Sequence, residues 1–318
     1  MTLRDTALGP GPEFDAIREM VRRWGPRARG IGDDAALLDV PAGQHVAVST
    51  DASVEDVHFR RHWMRPREIG YRATIAALSD LAAVAASPLG LVCALAVPDA
   101  WRDDLLELAD GIGEAAHAHG ALIVGGNVTR GDKLSITITV LGTVTKALPR
   151  DGVRAGDTIF VTGRVGGSGA ALAALLRGDV PDDAARERFL RPVPRIAEAR
   201  WLAEHGAHAA IDVSDGLLAE LGHLSAASSV AIRVDPARVP CFGGVAPEDA
   251  LRSGEEYELV VAARTLDTRV FEQEHGVPLT AIGSAAALGG RDAPCVEVEG
   301  GDRGSRVARG AGHDHFSR

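Results

Sequence analysis

Four short aspartate clusters, each beside glycine, serine or threonine, recur along the chain: Gly30-Ile31-Gly32-Asp33-Asp34, Ser49-Thr50-Asp51, Ser79-Asp80 and Asp212-Val213-Ser214-Asp215-Gly216. Carboxylates at strand ends and tight turns, next to small residues that let a ligand approach the backbone, suit hard cations and the phosphates those cations carry. Magnesium takes few protein carboxylates and completes its octahedron with water and phosphate oxygens, so scattered aspartates can hold more than one ion on one triphosphate. The pattern reads as that of a magnesium-nucleotide enzyme.

Each cluster also has a plain structural reading. A lone Gly-Asp-Asp is commonly a turn. Asp51 and Asp80, however, have no basic residue three or four positions away to explain them as surface ion pairs. Asp80 lies between Ala76-Ala77-Leu78 and Leu81-Ala82-Ala83, so if buried it must be paired or metal-bound. Ser214 or Asp215 would serve equally well as the cap of a following helix, but capping leaves Asp212 unexplained.

Further candidates stand nearby. His58, shortly after Asp51, either contacts substrate or is an ordinary satisfied histidine, and Arg150 either neutralises phosphate or stays solvated. Glu255-Glu256-Tyr257-Glu258 reads as a solvated acidic turn, although Tyr257, one of 2 tyrosines, hints at a pocket. Gly163 to Gly169 precedes a helix and could cradle phosphate; a flexible strand-to-helix turn is the favoured reading. His313-Asp314-His315-Phe316 is either a metal site or a terminal tail. The chain contains no Gly-x4-Gly-Lys-Ser/Thr, no protein-kinase motif set, and no Gly-x-Gly-x-x-Gly after the first strand.

Elements that would carry these residues follow from periodicity. Glu13 to Trp24 is an amphipathic helix. Ala35–Val40 and His45–Thr50, joined by Pro41-Ala42-Gly43-Gln44, predict a hairpin that leaves Asp51 at a strand end. Residues 66–86 are helical, 90–97 a strand, 99–119 a helix, 121–124 a short strand ending at Gly125-Gly126-Asn127, and 134–144 an alternating half-buried strand. Leu148-Pro149-Arg150-Asp151-Gly152 is the linker, dividing the chain into domains 1–148 and 149–318. Beyond it, strands at 158–162, 209–213, 231–234, 259–262 and 280–283 and helices at 170–177, 186–191, 194–205 and 216–225 make a second α/β unit, and 291–318, glycine-rich and charged, reads as loop with a short strand near 295–298.

Composition sets limits. With 318 residues and 46% hydrophobic content the chain can bury two cores. A net charge of −10 argues against a nucleic-acid partner. The apolar run from Leu81 to Val97 is broken by Pro88 and Gly90 and is too short to cross a membrane, so no membrane partner is expected. The start of the chain lacks the features of a signal peptide, and Cys93, Cys241 and Cys295 form no framework, so a cytoplasmic location is expected.

Taken in order, Gly30 to Ala36, Ser49-Thr50-Asp51 with His58-Phe59, Leu78-Ser79-Asp80-Leu81-Ala82, Gly125-Gly126, Ile211 to Leu217, Ser253 to Leu259 and Asp314-His315-Phe316 resemble the thiamine-monophosphate kinase family, over residues 11 to 316. The resemblance implies an α/β (α+β) two-domain aminoimidazole ribonucleotide synthetase-like fold. Its N-terminal domain would be a mixed sheet with helices that pairs in a homodimer, and its C-terminal domain an α/β sandwich completing the nucleotide and substrate site. The implied reaction is phosphorylation of thiamine monophosphate by ATP, with several magnesium ions. By motif position Asp34, Ser49, Thr50, Asp51, Asp80, Asp212 and Asp215 would be metal ligands, Gly126, Arg150 and Ser214 would contact ATP, and His58 and Glu255 the thiamine phosphate.

Two positions depart from the family pattern. Asn127 stands where the family has aspartate, and as a ligand it would bring an oxygen but no charge; His313 stands where the family has an aromatic residue able to stack on substrate. Alternatives are another ATP-dependent enzyme of the superfamily, or a non-catalytic magnesium-nucleotide-binding protein. A selenophosphate synthetase would be expected to show a reactive N-terminal cysteine or selenocysteine, and no cysteine precedes Cys93.

Overall fold

The computed structural model describes residues 12–31, 35–289 and 293–300, and the backbone of 306–307. Asp33, Asp34 and His313 lie outside these residues. The chain divides into two compact units, Met1–Leu81 with Ala86–Thr145, and Ala82–Ala85 with Lys146–Arg318.

The first unit contains α1 (Pro12–Trp24), β1 (His45–Val54), α2 (Pro66–Ala83, whose last two residues group with the second unit), β2 (Ser87–Val97), α3 (Leu105–Ala118), β3 (Leu122–Arg130) and β4 (Ser135–Val144). Its sheet has the order β1-β4-β2-β3, antiparallel except for the β2–β3 pair. Strict alternation in β4 buries Ile136, Ile138 and Val140 and leaves Thr137 and Thr139 half-exposed on the other face. In α2 every residue from Ile69 to Ala83 is buried except Asp80. An apolar sequence all round makes this a core helix, and its single acidic interruption marks where it reaches the surface.

The predicted hairpin does not form. Residues 36–44 carry no strand, and β1 instead pairs along its whole length with β4, from His45↔Val144 to Val54↔Ser135. Both runs had strand composition, but pairing is decided by a partner some ninety residues away, which local pattern does not reveal. The same pairing carries β1 past Asp51, so that carboxylate lies inside the strand and not at its end. Likewise β3 continues through Gly125-Gly126-Asn127 to Arg130, and the helix expected from residue 99 begins with a 3-10 segment, Asp99–Asp104.

The second unit contains β5 (Thr158–Thr162), α4 (Gly167–Arg177), α5 (Asp183–Leu190), α6 (Ile196–Glu204), β6 (Ala209–Asp212), α7 (Leu217–Ser228), β7 (Ala231–Val234), α8 (Pro247–Arg252), β8 (Leu259–Ala263), α9 (Thr268–His275), β9 (Leu279–Ala286), β10 (Cys295–Val298) and β11 (Arg306–Val307). The sheet order is β11-β10-β7-β9-β5-β8-β6. Alternate residues of one strand feed two cores. Ile159, Val161, Ile211 and Val260 pack with Leu217, Leu221 and Leu224 of α7, while Phe160, Ala210, Leu259 and Val261 pack with Leu202 of α6 and Phe271 of α9. Burial on both faces explains why these strands read as unbroken apolar runs. Helices α8 and α9, not foreseen in the sequence, are only six and eight residues long. Among the described residues no helix is long and apolar enough to cross a membrane.

Candidate active site

In the first unit, alternation along β1 places Ser49 and Asp51 on one face and Thr50 on the other. Ser49 Oγ donates to Asp80 Oδ2 at 2.5 Å, which fixes α2 over that face. Asp51 Oδ1 accepts from the Ala52 amide at 3.1 Å. The Thr50 hydroxyl instead meets Thr139 Oγ1 at 2.9 Å on the opposite face, so Thr50 can serve a cation beside Asp51 only through its backbone oxygen.

Gly126 occupies the same cross-strand row as Asp51, through Ile138 and Cys93, and Asn127 follows in the row of Ala52 and Ala94. Three inter-strand steps separate β1 from β3, about 14 Å at the usual spacing. Ser49, Asp51 and Asp80 therefore form one corner, and Asn127, exposed beside Gly126, lies at another, in a row that faces the same way as Thr50. A Cβ on Gly126 would lie 2.1 Å from the Cys93 carbonyl oxygen, so glycine there is required by the sheet itself.

His58 follows β1 in a tight loop. Its Nδ1 accepts from the Val54 amide at 3.1 Å, which leaves Nε2 to carry the proton of the neutral ring. The loop is anchored by Phe59, buried edge-on to Trp101, and by Glu55, whose carboxylate accepts from Trp101 Nε1 at 3.0 Å.

In the second unit the turn after β6 and the turn before β8 are laced together. Val213 N–H donates to Glu258 O at 2.7 Å, Glu255 N–H to Ser214 O at 2.6 Å, and the Glu256 and Tyr257 amides both to Val213 O at 3.0 Å. Asp212, Ser214, Asp215 and Glu255 are thus brought together. The lacing holds two non-glycine residues in the left-handed region, Glu255 at φ 57° and Tyr257 at φ 54°. Such backbone persists only where its surroundings over-determine it.

Those surroundings correct the expectation of a solvated acidic turn. Glu256 and Glu258 are fully buried. Glu256 Oε1 accepts from the Gly166 and Ser168 amides at 2.8 and 3.0 Å and from Ser253 Oγ at 2.5 Å. Glu258 accepts from Arg195 Nε at 2.7 Å, Arg195 Nη2 at 2.6 Å, Arg188 Nη2 at 2.5 Å and Thr162 Oγ1 at 2.7 Å. Burial by itself raises Glu258, but the guanidiniums and the hydroxyl outweigh it and hold the carboxyl below its usual range. Glu256, with one arginine and two amides, is pushed up, chiefly by burial.

The glycine-rich segment before α4 is likewise no flexible turn. Its amides are occupied by the protein's own carboxylate, at the helix N-terminus where a phosphate would otherwise sit. Gly163 has φ 61°, and a Cβ there would lie 2.2 Å from Glu258 Oε1.

Neither Ser214 nor Asp215 caps α7. Gly216, at φ 119°, is the cap residue, and no side chain bonds to it. Glu220, one turn into the helix, reaches back to accept from the Asp215 amide at 2.9 Å and the Ser214 hydroxyl at 3.3 Å. Burial pushes Glu220 up, with Arg150 among the weaker opposing influences. Arg150 itself lies in an exposed 3-10 turn whose carbonyl accepts from Ser228 Oγ at 2.9 Å. Sequence reasoning missed Glu220, Arg188 and Arg195. Glu220 had left a signal, a carboxylate in the apolar run Leu217-Leu218-Ala219-Glu220-Leu221.

The Ser49, Asp51 and Asp80 corner and the turn of Asp212, Ser214 and Asp215 each offer hard oxygen donors, carboxylates with a hydroxyl, and Asn127 adds an amide oxygen, the chemistry that suits magnesium. Among the described residues no three His, Cys, Asp or Glu side chains gather into a closed metal site.

Residues 32–144 match the family described as AIR synthase related protein, N-terminal domain, and residues 154–290 its C-terminal domain. The thiamine-monophosphate kinase of Escherichia coli O157:H7 is 39% identical over 276 residues, 81% of this chain and 84% of that protein. The crystal structure of thiamine-monophosphate kinase from Stenotrophomonas maltophilia superposes with a TM-score of 0.80 at 36% identity, covering 91% of this chain and 97% of that one. AaThiL complexed with AMPPCP and TMP superposes with a TM-score of 0.74 at 26% identity, covering 95% and 96%.

Proposed function

This chain belongs to the thiamine-monophosphate kinases of the AIR synthase related family, and from that premise we propose how its residues serve the reaction. It is a thiamine-phosphate kinase, phosphorylating thiamine monophosphate with ATP as donor. We infer that the transfer is direct and in line. A phosphate oxygen of thiamine monophosphate attacks the γ-phosphorus of ATP, the bond to the β–γ bridging oxygen breaks, and ADP leaves. A phosphate monoester, with a second pKa of about 6, is already nucleophilic near neutral pH, so no strong general base is needed. Positioning and electrostatics carry the rate.

The first unit would bind cations through Ser49, Asp51 and Asp80, the Thr50 carbonyl and Asp34, and at the β3 corner through Asn127 beside Gly126, which contacts ATP. The second would bind them through Asp212 and Asp215, with Ser214 and Arg150 on the nucleotide. Magnesium held there would neutralise charge on the phosphates that an acidic chain cannot neutralise itself. His58 would offer Nε2–H to the substrate phosphate, and Glu255 and His313 would line the thiamine site. We assign residues 1–148 metal and ATP contact and dimerisation, and residues 149–318 the remaining nucleotide and substrate contacts.

The observation that carries the reading is the lacing of the Asp212–Gly216 turn to the Ser253–Glu258 turn, which joins expected nucleotide ligands to an expected substrate contact. A homodimer is supported by the outer face of the first sheet, where Val46, Val48 and Thr50 lie exposed. Sparse, unpaired cysteines support a cytoplasmic location. Incubation with ATP, magnesium and thiamine monophosphate should yield thiamine diphosphate and ADP one for one. ADP formed without thiamine diphosphate would favour another ATP-dependent activity of the superfamily.

A further inference from the structure

The geometry points to Glu220 as a positioning residue for the magnesium-nucleotide site of the second unit, a role resting on the reading above. A strand-to-helix turn with serine and aspartate ahead of the helix ordinarily spends one of their side-chain oxygens on the first helical amides. Here the helix takes Gly216 as its cap, without a side-chain bond, and Glu220 supplies the backward-reaching acceptor. One carboxylate oxygen of Glu220 holds the backbone of Asp215 and the hydroxyl of Ser214 together, at 2.9 and 3.3 Å. The Asp215 carboxylate is thereby released: half-buried, it takes no hydrogen bond or ion pair among the described residues.

Glu220 is 2% exposed, too deep to touch a ligand itself. Its position is fixed by the α7 core, where the flanking Leu217, Leu218, Leu221 and Leu224 are buried beside it. A buried charge directly behind Ser214 and Asp215 does two things. It orients the Ser214 hydroxyl by accepting its hydrogen bond, so that the oxygen's lone pairs face away from Glu220. It also pins the Asp215 backbone, and with it the direction in which that carboxylate meets a cation. Partners of this kind, one bond removed from the ligand, commonly change metal affinity by 10–100-fold when altered.

The test is magnesium-dependent binding of the non-hydrolysable analogue AMPPCP, followed by calorimetry in the wild-type chain and in Glu220→Gln, Glu220→Asp, Asp215→Ala and the double variant Asp215→Ala/Glu220→Gln. Glutamine keeps an oxygen for the Asp215 amide but removes the charge, and aspartate keeps the charge but withdraws it. Either should raise the magnesium concentration for half-maximal binding about 10-fold or more, with turnover at saturating magnesium lowered much less. Because Glu220 acts through Asp215, adding Glu220→Gln to Asp215→Ala should cost little more than Asp215→Ala alone. Wild-type magnesium dependence in both Glu220 variants, or full additivity in the double variant, would overturn the role. Absence of magnesium-linked AMPPCP binding in the wild-type chain would instead overturn the reading on which it rests.

Discussion

The carboxylates that could be picked out by residue type turn out to differ in what holds them. Asp80 is the lone half-buried break in the buried stretch of α2 and is met by the Ser49 hydroxyl; Asp212 ends a buried strand and is 3% exposed. Replacing either by alanine should lower kcat at least about 100-fold with the fold retained, the scale of losing one preorganised electrostatic group. Near-normal steady-state kinetics in both variants would remove them from the site. Asn127 makes the opposite prediction. Asn127→Asp restores a charge at the β3 corner, so half-maximal turnover should need less magnesium, and an unchanged magnesium titration would mean that Asn127 is no ligand.

Residue type alone identified Asp51, Asp80 and Asp212 as candidates because nothing local explained them, whereas Ser49 came in only with the family resemblance. It did not separate Thr50 from its neighbours, whose side chains the pleat sends to the other face. Nor did it recover Glu220, whose purpose depends on a turn closed in space.

At the scale of elements, the buried Glu256, Glu258, Arg188 and Arg195 tie α4, α5, α6 and β8 to the strained turn that carries Glu255. Removing one member leaves uncompensated buried charge, so Glu258→Gln should cost about 3–5 kcal/mol of stability at neutral pH. Since Glu258 is held below its usual range when folded, its contribution is present above the ordinary carboxylate pKa and is lost as pH falls through that range. The gap between wild type and variant in denaturant unfolding should therefore narrow on acidification; Glu256, pushed up, acts in the opposite sense. A gap independent of pH would contradict this account.

Most strands of both sheets were legible because their composition matched their burial, although β11 was not foreseen. β7 lies where a strand was expected, at Ala231–Val234, and β10 lies at Cys295–Val298, where composition put a short strand within a loop. What failed were statements about partners and surroundings. The hairpin at residues 35–50 was lost to the distant strand β4, and the acidic turn at 255–258, polar by composition, was buried by arginines from α5 and the segment before α6.

At the scale of the molecule, a net charge of −10 disfavours the approach of a polyanion, which is why the proposed mechanism gives the phosphates of ATP cations. The first sheet is covered on one face and leaves Val48, 61% exposed, on the other. If that face is the homodimer surface, Val48→Arg should shift the protein from dimer toward monomer in light scattering, and an undiminished dimer would place the interface elsewhere. The measurement that reaches the central claim most directly is a single turnover with ATP labelled at the γ-phosphate and thiamine monophosphate. The label should pass into the terminal phosphate of thiamine diphosphate with none held on the protein at any time. Label retained on the protein, or released as inorganic phosphate while thiamine monophosphate stays unchanged, would contradict direct transfer.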